Sequence, residues 1–124
     1  MSIVLLIENE KVVSNQIQKT LEDAGHVVMV SADGHTGVTL CEEYSVDLVI
    51  TKIFMPEMDG LEVIRALHNK NPAFRLMAIS GDGTTASAQL VLKMASAFGA
   101  HKTLSKPFTS NGLLGAVAGA LGKI

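Results

Sequence analysis

The residues best suited to chemistry each follow a short apolar run. Glu8 and Asn9 follow the first such run, Lys52 the third, Ser80 the fourth and Lys106 the fifth. Together they supply a carboxylate, an amide, a hydroxyl and two ammonium groups. A Ser-His-Asp or Cys-His arrangement is missing from the sequence, as are zinc-ligand spacing among the histidines and a GxxxxGK phosphate loop. The set therefore favours a binding site or an ion-pair network over hydrolytic chemistry.

The elements that must position these residues alternate along the chain. Short apolar runs separated by segments of helical period predict a parallel sheet covered by helices on both faces. In such a sheet ligands bind beyond the carboxyl ends of the strands, so the residues above are expected at one edge. The predicted strands are 3–7, 27–30, 47–51, 75–79 and 103–104, and the predicted helices are about 12–24, 36–43, 60–68, 86–98 and 110–121.

Several residues are expected to serve the structure. Gly25 should end the first helix, because glycine tolerates the left-handed conformation. Asp59 should cap the helix that begins at Gly60. Cys41, the single cysteine, is expected to be a packed helical side chain. Asp82 is expected to be a solvated loop residue, although it could pair with a lysine of the site.

Composition excludes several classes of protein. The net charge of −2, the pI near 6.0 and the 4% aromatic content give no drive toward nucleic acid or an anionic membrane. The apolar runs fall short of the ~20 residues that span a bilayer. The N-terminus lacks the basic start and long apolar stretch of a signal peptide, and one cysteine suits a reducing compartment. We therefore expect a soluble, cytoplasmic protein that binds neither nucleic acid nor membrane.

Four segments carry a resemblance to a known family. They are VLLIENE, DLVITKIFMPEMDG, MAISG and LSKPF, each at or around a predicted strand end. With these segments the chain resembles, over nearly its whole length, the CheY-like receiver domain of bacterial response regulators in two-component systems. The resemblance implies an α/β, flavodoxin-like (βα)5 doubly wound parallel sheet of strand order 2-1-3-4-5, with one domain over residues 1–124.

The resemblance also implies a role for each residue of the site. A receiver in a phosphorelay accepts a phosphoryl group on an aspartate after the third strand, and an acidic pair after the first strand helps to hold Mg²⁺. A hydroxyl, a lysine and often an aromatic residue then couple the phosphoryl group to the active conformation. By position, Lys52 corresponds to the phosphoacceptor, Glu8 and Asn9 to the acidic pair, Ser80 and Lys106 to the switch hydroxyl and lysine, and Thr103 to the switch aromatic residue.

Lys52 therefore determines the functional interpretation. A protonated ammonium cannot accept a phosphoryl group as a carboxylate does, and it repels Mg²⁺. We expect no cofactor, with Mg²⁺ binding weak or lost. Glu8 is the expected ion-pair partner of Lys52, with Glu10 and Asn9 as secondary partners, and that pair could hold one conformation permanently. Alternatively Lys52 points into solvent, or the substitution is an engineered change in an ordinary receiver.

Three hypotheses about function follow. The first is a stand-alone, non-enzymatic pseudo-receiver that binds a sensor kinase, a regulator or a second copy of itself through the fourth and fifth helices. Its stand-alone character is inferred because the chain ends soon after the predicted last helix. The second is an ordinary phosphorelay receiver with a substituted acceptor, or one phosphorylated at another residue such as Ser80 or Thr51. The third is a flavodoxin-like protein that uses Lys52 as a nucleophile, which would require a depressed lysine pKa. Partner, pathway, oligomeric state and the conformation held by Lys52 are left open.

Overall fold

The computed structural model describes residues 2–81 and 85–122, so Asp82 lies outside the described residues. Strands and helices alternate along the chain as the sequence predicts. The strands are β1 (Ile3–Ile7), β2 (Val27–Ser31), β3 (Leu48–Lys52), β4 (Leu76–Ser80) and β5 (Lys102–Ser105), and the helices are α1 (Lys11–Asp23), α2 (Gly34–Glu43), α3 (Gly60–Lys70), α4 (Ala86–Phe98) and α5 (Ser110–Ala120).

The strands form a parallel sheet of order β2-β1-β3-β4-β5, which confirms the predicted flavodoxin-like topology. Strand order reverses at β1, which pairs with β2 on one side and β3 on the other. Parallel pairing of β1 with β3 places Ile7 opposite Thr51, so the residues that follow these two strands emerge side by side. This is the position at which doubly wound sheets bind ligands.

Side chains that alternate along the strands divide the core into two layers. Val4 and Leu6 of β1 face the layer beneath α1 and α5, whereas Leu5 and Ile7 face the layer beneath α2, α3 and α4. The helical period that the sequence predicts for these segments is confirmed by their buried faces. Val13, Ile17 and Leu21 of α1 and Leu113, Val117 and Leu121 at α5 all pack against the first layer.

Helix α2 begins two residues earlier than predicted, at Gly34 instead of Thr36. Asp33 provides the reason, because its carboxylate accepts hydrogen bonds from the backbone N–H and the hydroxyl of Thr36. Gly37 lowers helix propensity, yet a Cβ there would stand 2.3 Å from Ile7 Cδ1. The glycine thus permits the helix to pack closely on β1, and tertiary packing outweighs propensity.

Two other structural predictions are confirmed by local geometry. Gly25, at φ +96°, ends α1 in the left-handed region. Cys41 is buried in α2, and burial, reinforced by the neighbouring Glu42 carboxylate, raises the pKa of its thiol to about 11.

No helix within residues 2–81 and 85–122 has the length and apolar character needed to cross a membrane.

The start of α3 fixes the end of β3. Asp59 caps the helix as predicted: its carboxylate accepts from the N–H of Glu62, and the Glu62 carboxylate accepts in turn from the N–H of Asp59. Gly60 donates its N–H to the carbonyl of Ile53 at 2.7 Å. A Cβ on Gly60 would lie 2.2 Å from the backbone oxygen of Lys52. The backbone that carries Lys52 is therefore packed directly against the first turn of α3.

We predict that Gly60→Ala destabilises the protein by roughly 2–3 kcal/mol, because the added methyl group forces backbone apart at this contact. Gly115→Ala is the matched control. A Cβ at Gly115 meets nothing within 4 Å, so alanine should stabilise α5 by roughly 0.5–1 kcal/mol. Urea unfolding of the two variants measures both effects, and equal stability of the two would contradict the close packing at Gly60.

Candidate functional site

An ammonium group with three oxygen partners lies at the carboxyl edge of the sheet. Lys52 Nζ lies 2.8 Å from Glu10 Oε1, 3.1 Å from Asn9 Oδ1 and 3.3 Å from Glu8 Oε2. Only 11% of the Lys52 side chain is exposed. The alternative in which Lys52 points into solvent is therefore wrong, and the expected Lys52–Glu8 ion pair is present.

The chain after β1 folds so that three consecutive residues reach one point. Glu8 is buried, and its Oε2 also accepts the N–H of Glu10 at 2.9 Å. Glu10 is the N-cap residue of α1, but its side chain makes no capping hydrogen bond and is directed to Lys52 instead. Glu10 is thus the nearest partner of Lys52, although the sequence indicated it only as a secondary one. The sequence signal for this contact was a Glu at the N-cap position, where Ser, Thr, Asp or Asn is usually found.

The pKa values of Glu10 and Lys52 are both shifted toward the charged form. The pKa of Glu10 is lowered, first by the hydrogen bond from Lys52 and then by the charge of that ammonium. For Lys52, burial is the largest effect and opposes the charge, but the hydrogen bonds and charges of Glu10 and Glu8 together outweigh it. The pKa of Lys52 therefore lies above its ordinary value, and the ammonium is protonated at neutral pH.

Two hydroxyl groups near the cluster are buried. Ser80, the last residue of β4, is fully buried, and its Oγ has no hydrogen-bond partner among the described residues. Thr51 is 1% exposed and donates its hydroxyl to the backbone oxygen of Lys52. Neither hydroxyl is accessible to a phosphodonor in this arrangement.

Lys106 and Thr103 occupy the β5 side of the same edge. The N–H of Lys106 donates to the carbonyl of Ser80 at 3.0 Å, which extends the β4–β5 ladder by one bond. Lys106 precedes Pro107 through a cis peptide bond. Within the described parts of the chain, the Lys106 ammonium has no ion-pair partner, and its charge contributes slightly to the lowered pKa of Glu10. Thr103 is half-buried in β5 and lies opposite Ala78, two residues before Ser80 on β4. It is therefore farther from the carboxyl edge of the sheet than Ser80 and Lys106 are.

Strand boundaries differ slightly from prediction at this edge. Lys52, Ser80 and Ser105 are the last residues of their strands instead of the first residues beyond them. Hydrogen bonds that continue past each strand, such as Ile53 N–H to the Ile79 carbonyl, hold these positions in the ladder. The site residues are consequently carried by sheet backbone, which fixes their spacing. Across residues 2–81 and 85–122, no group of three or more His, Cys, Asp or Glu side chains is arranged to hold a metal ion.

Removal of the ammonium should leave a buried carboxylate without its cation. We predict that Lys52→Met lowers the free energy of unfolding by about 3 kcal/mol, because the buried carboxyl group of Glu8 loses its ion-pair partner. Combining Lys52→Met with Glu8→Gln should recover most of that loss. Urea unfolding of wild type, both single variants and the double variant measures the coupling; strictly additive losses would contradict the ion pair.

The ion pair between Lys52 and Glu10 predicts a pH window for stability. The lowered pKa of Glu10 contributes stability that is present above its ordinary value of 4.5 and is lost as pH falls through the folded value. The raised pKa of Lys52 contributes stability that is present below 10.5 and is lost as pH rises through the folded value. The stability difference between wild type and Lys52→Met should therefore be largest between these limits. A difference that stays constant across that range and beyond it would contradict the assignment.

Comparison with known proteins identifies the family. The profile of the response regulator receiver domain matches residues 4–118. The NtrX-like response regulator of Rickettsia typhi is 31% identical over 113 residues, which cover 90% of this chain and 23% of that protein. The transcriptional regulatory protein CusR of Escherichia coli K12 is 30% identical over 114 residues, which cover 92% of this chain and 48% of that protein.

A solved structure gives the same result. The crystal structure of a response regulator receiver domain protein from Clostridium thermocellum superposes with a TM-score of 0.84 at 27% identity, over 98% of this chain and 95% of that chain. This chain spans about a quarter to a half of the length of the curated relatives described above. The match of fold, motifs and profile leads to one conclusion: the chain belongs to the response regulator receiver domain family, a signalling module of two-component systems.

Proposed function

We propose that this receiver domain is a pseudo-receiver, which acts in two-component signalling through protein–protein contacts and is not phosphorylated at position 52. One observation carries the proposal: the Lys52 ammonium is held by Glu8, Asn9 and Glu10 at the carboxyl edge of the sheet. By its resemblance to receivers, this chain has Lys52 at the position where the family carries its phosphoacceptor aspartate. A protonated nitrogen there has no lone pair with which to attack phosphorus.

The cluster does not suit Mg²⁺. A receiver holds this ion with carboxylates, but here both carboxylates of the β1 loop are within 3.3 Å of an ammonium. The positive nitrogen repels a divalent cation, and Asn9 contributes an uncharged oxygen where a second carboxylate is expected. Mg²⁺ would have to displace Lys52 into a more exposed position and break three contacts. We therefore propose that Mg²⁺ binding is weak or lost.

The ammonium also supplies a permanent cation between two strand ends. A bound metal joins the β1 loop to β3 only while it is present, whereas Lys52 is covalently part of β3. Its bonds to Glu8 and Glu10 cross from β3 to the β1 loop and hold the start of α1 near the site. We propose that this link keeps the edge of the sheet in a single arrangement.

The alternatives have weaker support. Phosphorylation at Ser80 or Thr51 would require a hydroxyl that a phosphodonor can reach, and both are buried. A nucleophilic Lys52 would require a lowered pKa, whereas its pKa is raised by Glu10 and Glu8. A receiver whose acceptor was substituted by engineering would have the same geometry, so the experiments below apply to it equally.

The surface of α4 supports a role in protein contacts. Leu90 is 58% exposed and Met94 is 38% exposed, and their spacing of four residues places them on one side of the helix. Exposed apolar side chains that adjoin each other favour a contact surface. We propose that α4, with α5, docks a kinase, a regulator or a second copy of this domain.

We predict that acetyl phosphate with Mg²⁺ adds no phosphoryl group to the wild-type protein, as measured by intact mass. The matched variant is Asn9→Asp combined with Lys52→Asp, which restores carboxylates at the two altered positions. This variant should be phosphorylated under the same conditions, because it regains an acceptor and a metal site. A phosphorylated wild type, with the added mass mapped to any residue of the domain, would contradict the proposal.

Titration with Mg²⁺ followed by NMR tests the metal separately. We predict no saturable shifts at Glu8, Asn9 and Lys52 of the wild type at millimolar concentrations, and saturable shifts in the double aspartate variant. In the wild type an ammonium lies between the carboxylates, whereas in the double variant a carboxylate replaces that ammonium and the site becomes acidic. Saturable millimolar binding by the wild type at these residues would show that Lys52 yields to the metal.

A further inference from the structure

A groove separates α1 from α5 on the face of the sheet next to the site. Its volume is about 720 Å³. Its apolar lining comes from Val13 and Ile17 of α1, Leu113 of α5 and Phe108 of the segment before α5. The uncharged polar residues Gln16, Thr20 and Ser110 also line it. Val13 and Phe108 are partly buried and Ile17 and Leu113 are buried in the adjoining core layer, so the groove opens onto intact core packing.

Among the residues that the structure describes, the charged side chains that line this groove are both positive. Lys19 and Lys106 line it, and none of the described residues that line it is a carboxylate, although the whole chain has a net charge of −2. Lys19 already pairs with Asp23 at 3.0 Å on the exposed side of α1. Lys106 is partly buried and has no ion-pair partner among the described residues, so it is the cation to which we assign the ligand.

We propose that this groove binds a small amphipathic organic anion, with its apolar body against Val13, Ile17 and Phe108 and its anionic head at Lys106. The volume lies within the roughly 300–1,000 Å³ typical of small-molecule sites. Such sites combine mostly apolar walls with a few polar groups that fix orientation, as this groove does. A cation beside apolar side chains selects for a molecule that combines an anionic group with an apolar body.

The position of Lys106 links this groove to the Lys52 cluster. The N–H of Lys106 donates to the carbonyl of Ser80 at the end of β4, which places the start of this segment at the edge of the sheet that carries the Lys52 cluster. The charge of Lys106 also contributes to the lowered pKa of Glu10. An anion bound at Lys106 would offset the positive charge that this lysine presents at the edge of the sheet. The groove thus provides a chemical input to the same edge of the sheet that does not involve phosphoryl transfer. The inference goes beyond the proposed function and does not depend on whether position 52 can be phosphorylated.

Two fluorescent probes with the same rings test the groove. 8-Anilino-1-naphthalenesulfonate carries an anionic head, and N-phenyl-1-naphthylamine lacks it. Wild-type protein should bind the sulfonate at one site with enhanced emission, and NMR shifts should map to Val13, Ile17, Phe108 and Lys106. The neutral probe should bind the same residues more weakly.

Variants separate the two parts of the recognition. Val13→Glu places a carboxylate in the apolar wall and should weaken both probes by about tenfold or more. Val12→Glu is its matched control, because Val12 is 71% exposed on the same helix and outside the groove, so probe affinity should not change. Lys106→Gln should weaken the sulfonate about fivefold and leave the neutral probe unchanged, as expected for a partly exposed ion pair. Lys93→Gln, on α4, controls for net charge.

The outcomes are distinct. Shifts that map to α4, equal effects of Val12→Glu and Val13→Glu, or equal losses for both probes with Lys106→Gln would overturn the assignment. So would concentration-dependent self-association, seen by analytical ultracentrifugation and abolished by Val13→Glu, because a second copy would then cover the groove. Far-UV circular dichroism of each variant confirms that the fold is retained. Phosphorylation of the wild type would refute the proposed function and leave this inference intact.

Discussion

The Lys52 ammonium and its three oxygen partners define the chemistry of this receiver. An ammonium that is mostly removed from water is stable only when carboxylates or other oxygens replace its hydration. Here Glu8, Asn9 and Glu10 provide that replacement at 2.8–3.3 Å, and Glu8 itself is buried and needs the cation in return. Each charge therefore requires the other. A change that removes one without the other leaves a buried charge, so the cluster has to be treated as a unit.

The neighbouring strands and helices hold this edge of the sheet in place. Lys52 is part of a strand whose backbone is packed against Gly60, and the capping box of Asp59 and Glu62 fixes the helix that begins there. On the other side, the parallel register of β1 and β3 brings the β1 loop to Lys52. These contacts fix the backbone that carries Lys52 and the β1 loop, and the side chains of Lys52, Glu8, Asn9 and Glu10 meet across that fixed spacing.

In the proposed pseudo-receiver, a cation that is covalently part of the chain replaces a reversibly bound metal ion. Phosphorylation shifts an ordinary receiver between conformations through a group that is added and removed, and a permanent ion pair offers no such change. Control would then have to come from binding, either of a protein on the exposed surface of α4 or of a small anion beside Lys106. A ligand can shift an equilibrium only by the difference in its affinity for the two states. The groove gives such a difference a physical basis, because Lys106 belongs to both the groove and the edge of the sheet.

Most of the architecture follows from the sequence. Buried runs such as Ile3–Ile7, separated by helical stripes such as Val13, Ile17 and Leu21, determine a parallel sheet with helices on both faces, since strand and helix periods are local properties. The end of α1 at Gly25 and the cap of α3 at Asp59 also depend on local sequence, and both predictions are confirmed. The identity of Lys52 by itself also restricts the chemistry at its position, because an amine and a carboxylate carry opposite charges at neutral pH.

Tertiary structure decided what these residues touch. That Glu10 lies nearer to Lys52 than Glu8 does depends on the course of three residues between β1 and α1, which no periodicity specifies. The burial of Ser80 and the close packing of Gly37 against Ile7 likewise arise from neighbours distant in sequence. The groove between α1 and α5 is a space between two helices that are far apart along the chain. Local patterns encode the elements, whereas contacts between elements exist only once the chain has folded.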